Sequence, residues 1–437
     1  MDTTPKTSKP EHDDNAIVVQ RIEEDPIAQR LDDRHTFIPI RCCDLNVKLI
    51  ETLHLNQQET DDFKFLAQRL QAIFHAEHLS ALLRLEDLYG PLDPDDDAIE
   101  ITHLTDEQRS GQVDRLIDVF SGILFRAHYK RLAREEIERA VQLGSQWSAK
   151  LEIDFELYDR LEIFARGYRV VEVSRRRWQN FFREEIIEQP ELQRLIIAFR
   201  IKPDEKSNGN FDPNKVYLKT FKNIPETDLE MLLPGAKIKL SMVDRGKIIL
   251  PTLSGMAITV YKLIRGLIVL TLAVTVSAIL AWIVFIGAVG GYLVKSILGY
   301  FRTKNNFEFG LTRSLYLKNL DNNSSVLFRI LHEAEEQELM EAILCYMLMW
   351  NYCREESSRD GLVEEKIEQI VEAYLLKHTK IDVDFEIHDA LGKLARLGLI
   401  DVDAQGRWKP IDLEKSVPSL DENWEKIFRL RPLSTTI

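Results

Sequence analysis

The feature that most constrains this chain is the run Gly266 to Val294, GLIVLTLAVTVSAILAWIVFIGAVGGYLV, which carries no charge, no amide and no proline across 29 residues. As a helix it would be about 43 Å long, at ~1.5 Å per residue. The hydrocarbon core of a bilayer is roughly 30 Å thick and takes about 20 apolar residues. Helices of soluble cores seldom run past about 25 residues without a polar face. The run therefore predicts a membrane insertion, placed within residues 252–301.

Its flanks bear on topology. Arg245, Lys247, Lys262 and Arg265 precede it; Lys295, Arg302, Lys304 and Arg313 follow. Equal cationic flanks give no positive-inside bias, so both ends are expected on one side. Trp282 lies near the middle, where the tip of a hairpin would return it to an interface. A two-helix hairpin is the expected form, with a single long tilted span as the alternative. Gly287 and Gly291 are four apart, a spacing that lets apolar helices approach closely, and are the candidate helix-packing residues.

On either side the pattern is that of folded protein. Residues 1–34 are polar and read as a disordered tail. Residues 35–143 read as a helical domain, with Leu66, Leu70, Ile73 and Phe74 in one apolar stripe and Leu116, Ile117, Phe120, Ile123 and Leu124 in another. The period then changes. LEIDFELYD (Leu151 to Asp159) alternates as a half-buried strand does, and shorter strands are expected at Tyr168–Val173, Leu195–Ile201, Val216–Phe221 and Ile238–Val243. Residues 144–251 read as an α+β juxtamembrane domain. Residues 302–415 show the element order of a winged-helix unit, and 416–437 form a tail. The expected fold class is mainly α, with that α+β domain, a transmembrane helical hairpin and a C-terminal winged-helix-like unit.

Charge narrows the partners. The net charge is −14, and residues 354–437 hold 13 Lys and Arg against 18 Asp and Glu. A groove-reading helix needs several cations for phosphates, so the C-terminal unit reads as a protein-interaction module and DNA is not expected as a partner. The lipid bilayer is. Arg175, Arg176, Arg177 and Trp178, in the most basic stretch, are candidates for headgroup contact.

Chemistry is sparse. GxxxxGK[ST], GxSxG, HExxH and CxxC are all missing from the sequence. The four cysteines form no spaced framework, which predicts reduced thiols. His332 with Glu335 and Glu336, and His75 with His78, lack the paired spacing of a carboxylate-bridged metal site, so no metal or cofactor is expected. Lys150–Tyr168 and Lys380–Gly398 agree at eight of 19 positions, which leaves a duplicated element and chance both open.

Three blocks are distinctive. One is Phe221-Lys222-Asn223-Ile224-Pro225, Asp228-Leu229-Glu230 and Leu232-Leu233-Pro234. The second is Leu315 to Leu320 followed by Ala334 to Glu338 and Glu341-Ala342. The third is Phe37-Ile38-Pro39. Together they resemble the family called Domain of Unknown Function 3754, which includes the animal transmembrane protein 143. The resemblance implies a membrane protein without an established activity and carries over no catalytic residues. The N-terminus lacks a basic presequence, which favours a bacterial inner membrane with the soluble parts in the cytoplasm. The expected function is a membrane-anchored interaction or regulatory scaffold, able to homo-oligomerise. The alternative is a membrane-associated enzyme using residues 144–251.

Overall fold

The computed structural model describes residues 34–98, 104–138, 150–152, 154–176, 184–203, 211–233, 237–239, 317–355 and 361–430, with Tyr261, Gly291, Val294 and Leu298. The chain divides into two compact units, each assembled from separate segments. The first comprises 1–138, 157–224 and 320–437; the second comprises 139–156 and 225–319.

The first unit is built on two long helices. Helix α1 (Cys42–Thr52) leads into α2 (Gln57–Tyr89), which starts in a capping box: Asn56 Oδ1 accepts from Glu59 N, and Asn56 N donates to the Glu59 carboxylate, both at 2.9 Å. Thr105 and Gln108 do the same for α3 (Asp106–Arg126). Helix α4 spans Ser324–Glu355. Helices α2 and α4 run antiparallel: Arg354 reaches Glu59 at one end, and the Tyr89 hydroxyl donates to Asn323 Oδ1 at the other.

This pair links two apolar clusters. One gathers Phe63, Leu66, Leu70 and Phe74 of α2 with Leu344, Tyr346 and Met347 of α4. It also includes the apolar faces of α5 (Glu364–Thr379), α6 (Ile387–Arg396), the hairpin β8–β9 (Ile400–Val402, Trp408–Pro410) and α7 (Leu413–Leu430). The other gathers Leu85 and Tyr89 with α3, the N-terminal half of α4 and the inner face of a sheet. That sheet has five strands in the order β1-β3-β4-β5-β7, where β1 is Lys130–Arg131, β3 Tyr158–Arg176, β4 Glu184–Ile201, β5 Tyr217–Pro225 and β7 Asn319–Asn322. Phe164, Ile196, Ala198 and Leu218 are its inward residues. In the second unit, β2 (Lys150–Glu152) pairs antiparallel with β6 (Lys237–Lys239), and a 3-10 helix covers Glu226–Leu232.

Two expectations are corrected. The chain is not mainly α with an α+β insert and a winged-helix-like end; it is mixed helix and sheet around a five-stranded antiparallel sheet. The strands expected at 168–173 and 195–201 are pieces of β3 and β4, 19 and 18 residues long. Charged residues that interrupt the ribbon's apolar alternation hid it. The expected transmembrane helix is also not supported: among the described residues no helix is long and apolar enough to cross a membrane. Helices α2 and α4 have the length, 33 and 32 residues, but α4 carries Arg329, Glu333, Glu335, Glu336, Glu338 and Glu341. The run 266–294 lies outside the described residues except for Gly291 and Val294, which are helical and exposed.

The internal echo is not a repeated element. Leu161–Arg166 lies in β3, whereas the matching Leu391–Arg396 lies in α6. The same side chains satisfy strand and helix because the tertiary partners differ.

Candidate functional site

One group of charged residues buried in this fold lies where the two apolar clusters meet. His78 follows Phe74 of one cluster and precedes Leu85 of the other on α2. Glu338 and Glu341, three apart and so on one face of α4, sit between Ala334 and Ile343. The turn after α3 brings His128, and α6 brings Lys393.

His128 Nε2 lies 2.5 Å from Glu341 Oε1. The Lys393 ammonium bridges both carboxylates, 3.4 Å from Glu338 and 3.6 Å from Glu341, and is 2.6 Å from Asp389 one turn earlier on α6. Arg126 approaches Glu338 at 3.8 Å, and His78 Nε2 at 3.7 Å. Glu338, Glu341 and His78 are each no more than 4% exposed at the side chain. Neither ring nitrogen of His78 has a hydrogen-bond partner.

Burial sets the protonation states. It pushes His78 down to about 4, with the Arg126 and Lys393 cations adding to the effect. Burial raises Glu338 against the pull of Lys393 and Arg126. Burial works against the charged form of Lys393, but Glu341, Glu338 and Asp389 outweigh it and hold the ammonium above its ordinary value. The result is an enclosed ionic network around one lysine.

A second buried ion pair fastens the sheet to α4. Arg166 of β3 meets Glu333 at 2.8 Å and donates to Ala127 O at 3.0 Å. Its guanidinium lies between the rings of Phe37 and Tyr129, 4.8 Å from each centroid, and the Tyr129 hydroxyl donates to Glu333 at 2.7 Å. A third cluster is half-buried: Glu368, Glu372 and Asp384 offer carboxylate oxygens within 4.8 Å of one another. Arg34 supplies its cation, at 2.8 Å from Glu372, 3.3 Å from Asp384 and 3.0 Å from Asp382.

The residues singled out by sequence are scattered. On β5, Phe221, Ile224 and Pro225 are buried, Lys222 is exposed, and Asn223 adopts a left-handed φ of 52°. Leu229, Leu232 and Leu233 are buried and Asp228 is half-buried in and after the 3-10 helix, which also contains Glu230; Pro234 lies outside the described residues. Arg175 and Arg176 stand in register with Glu185 and Glu184, whereas Arg177 and Trp178 lie outside the described residues. Gly287 also lies outside them, and a Cβ on Gly291 would meet nothing within 4 Å. His332 is exposed; Glu335 pairs instead with His75 at 3.1 Å, and Glu336 accepts from Cys42 N. Sequence reading missed His128 altogether. The available signal was Glu341 inside the apolar run Leu339 to Leu348, with Glu338 immediately before it.

Residues 192–325, from the inner half of β4 to the first turn of α4, match the family model described as "Protein of unknown function (DUF3754)". Over these residues the chain is similar to the DUF3754 family. The matched range contains the Phe221–Pro234 block and Leu315–Leu320, while Phe37–Pro39 and Ala334–Ala342 lie beyond it. The buried Glu338–Glu341–Lys393 network also lies beyond it. No solved structure matches the chain.

Proposed function

We propose that this chain is an interaction or regulatory scaffold working at a lipid bilayer. One observation carries the scaffold reading: His78, His128, Glu338, Glu341 and Lys393, the titratable groups gathered where the two apolar clusters meet, face one another in the interior. Lys393 of α6 is held by Glu338, Glu341 and Asp389, and Arg396 by Glu77. Cations so engaged are not offered to nucleic-acid phosphates, and carboxylates 4% exposed do not meet a substrate. Buried ion pairs of this kind fix the relative positions of helices more than they add net stability. The bilayer is supported by the 29 uncharged residues of 266–294.

The test is affinity purification of the full chain from chemically cross-linked native membranes. A scaffold recovers a partner in constant ratio to itself, and Glu341→Gln retains that partner as long as the variant stays folded. Recovery of the chain alone, with loss of its cellular phenotype in a folded Glu341→Gln variant, contradicts the proposal.

A further inference from the structure

A cleft of about 400 Å³, in the volume range of small-ligand sites, is lined by α1 on one side and the last turn of α5 on the other. Helical spacing explains its walls. Arg41, Leu45 and Lys48 recur three or four residues apart along α1, as Tyr374 or Leu375 and His378 do on α5, so each set shares a face. Leu45 and Leu375 are buried, and with Ile40 and Ile381 they make the base of the cleft apolar. Tyr374 sets the joint between the helices. Its hydroxyl shares a hydrogen bond of 3.0 Å with that of Thr52, and its ring lies 4.5 Å from the His378 ring. Lys380, at a left-handed φ of 63°, then turns the chain so that Ile381 lines the same cleft.

The charges around this cleft do not cancel. Arg41 is held by Asp44 at 2.8 Å and Lys48 by Glu51 at 3.4 Å, both as exposed pairs three residues apart, which bind weakly. Lys377 and Lys380, which flank His378 and Thr379, are exposed and have no carboxylate within 4 Å among the described residues. Four cations against two carboxylates leave an excess of two, in a chain whose net charge is −14. His378 feels that excess. Burial holds its ring below the ordinary value, and Lys377, Lys48 and Lys380 act in the same sense with no carboxylate opposing them.

An occupant of the cleft has to answer both properties. A bare ion leaves the apolar base uncovered, and a neutral or cationic molecule leaves the excess charge uncompensated. A phosphate monoester carries close to two negative charges at neutral pH, which matches the excess, and its esterified group can be apolar. We propose that the α1–α5 cleft binds a phosphate monoester, with its apolar group against Leu45 and Leu375 and its phosphate beside His378 among Arg41, Lys48, Lys377 and Lys380.

The test is titration of the full-length chain with phenyl phosphate in a mild nonionic detergent, followed by phosphorus NMR and by the ring signals of His378, which are assigned by their loss in His378→Gln. The expected result is saturable binding, with His378 taking up its proton at higher pH once the phosphate is bound. Inorganic phosphate, which lacks the apolar group, and phenol, which lacks the charge, are each expected to bind at least about tenfold more weakly. Lys377→Gln with Lys380→Gln is expected to weaken phenyl phosphate by about tenfold or more, and Lys377→Arg with Lys380→Arg to retain it, which separates lost charge from lost fold. Displacement of phenyl phosphate by long-chain phosphatidic acid in the same micelles, and not by phosphatidylcholine, assigns the monoester to a lipid headgroup; failure to displace it assigns a soluble ester. Absence of saturable binding overturns the proposal. So does binding that the glutamine substitutions leave unchanged, or that leaves His378 unmoved.

Discussion

His128 and Glu341 meet at 2.5 Å in the interior although 213 residues separate them in the chain. Through that contact the turn after α3 is tied to the middle of α4, and through Lys393 the same carboxylate reaches α6. One glutamate thus connects three helical segments that the apolar clusters alone would let slide.

Removing the lysine leaves two carboxylates enclosed without their shared cation. Lys393→Ala is expected to cost about 3–5 kcal/mol, the usual penalty for breaking one side of a buried ion pair. Urea unfolding at neutral pH checks it: the midpoint falls with little change in slope. Adding Glu338→Gln and Glu341→Gln to a Lys393→Met background is expected to recover most of the loss.

Acid should weaken the fold through His78. Its folded-state value, about 4, lies below the ordinary 6.5, so the neutral ring contributes stability that is complete above pH 6.5 and lost as pH falls toward 4. The full window corresponds to about 3 kcal/mol. Glu338 works in the opposite sense: raised by burial, it contributes stability below its unfolded value that is lost as pH rises through the folded one. His78→Leu is expected to flatten the decline between pH 6.5 and 4 in thermal melts. An unchanged acid limb in that variant would show that other groups govern it.

The Arg166–Glu333 pair is expected to be as sensitive as the lysine network, because its cation is also sandwiched between Phe37 and Tyr129. Arg166→Ala should cost about 3–5 kcal/mol. Arg166→Lys should keep the charge but lose the planar stacking and the fork that reaches Ala127 O, at about 1–3 kcal/mol. Equilibrium denaturation of the two variants separates packing from charge.

At the N-terminal edge, Arg34 binds Glu372, Asp382 and Asp384, while His35 N donates to Asp382 O and Asp384 N donates to His35 O. Arg34 is a third exposed, so Arg34→Ala is expected to cost only about 1 kcal/mol globally. The local effect should be larger. Hydrogen exchange at the His35 and Asp384 amides is expected to quicken by roughly tenfold or less, in proportion to that loss, while the α4 amides stay protected.

How much of this was legible in the sequence depends on the period involved. Leu66, Leu70, Ile73 and Phe74, and Leu116, Ile117, Phe120, Ile123 and Leu124, showed a 3.6-residue stripe, and all are buried in α2 and α3. The ribbon was only partly legible. Arg169, Glu172, Arg175 and Arg176 interrupt the apolar alternation of β3, and the residues that pair with them, Glu184 to Glu191, lie further along the chain, so no local window shows the pairing. The candidate site was least legible. His78, His128, Glu338 and Lys393 come from four segments, and nothing within any one of them says that its charge points inward. Glu341 inside the apolar run Leu339 to Leu348, with Glu338 just before it, was the sole local hint. The weak similarity of 150–168 to 380–398 misled for the same reason: eight identities left strand and helix undecided, and tertiary packing decided them.

The proposed scaffold reading makes the buried network a structural element and not a catalytic one. The most direct measurement is complementation of a strain lacking this chain by the Lys393→Met, Glu338→Gln, Glu341→Gln variant, with expression and thermal melting measured in parallel. The variant, if its melting temperature and abundance match the wild type, is expected to restore the phenotype fully. A variant that is as stable and as abundant as the wild type yet fails to complement would contradict it.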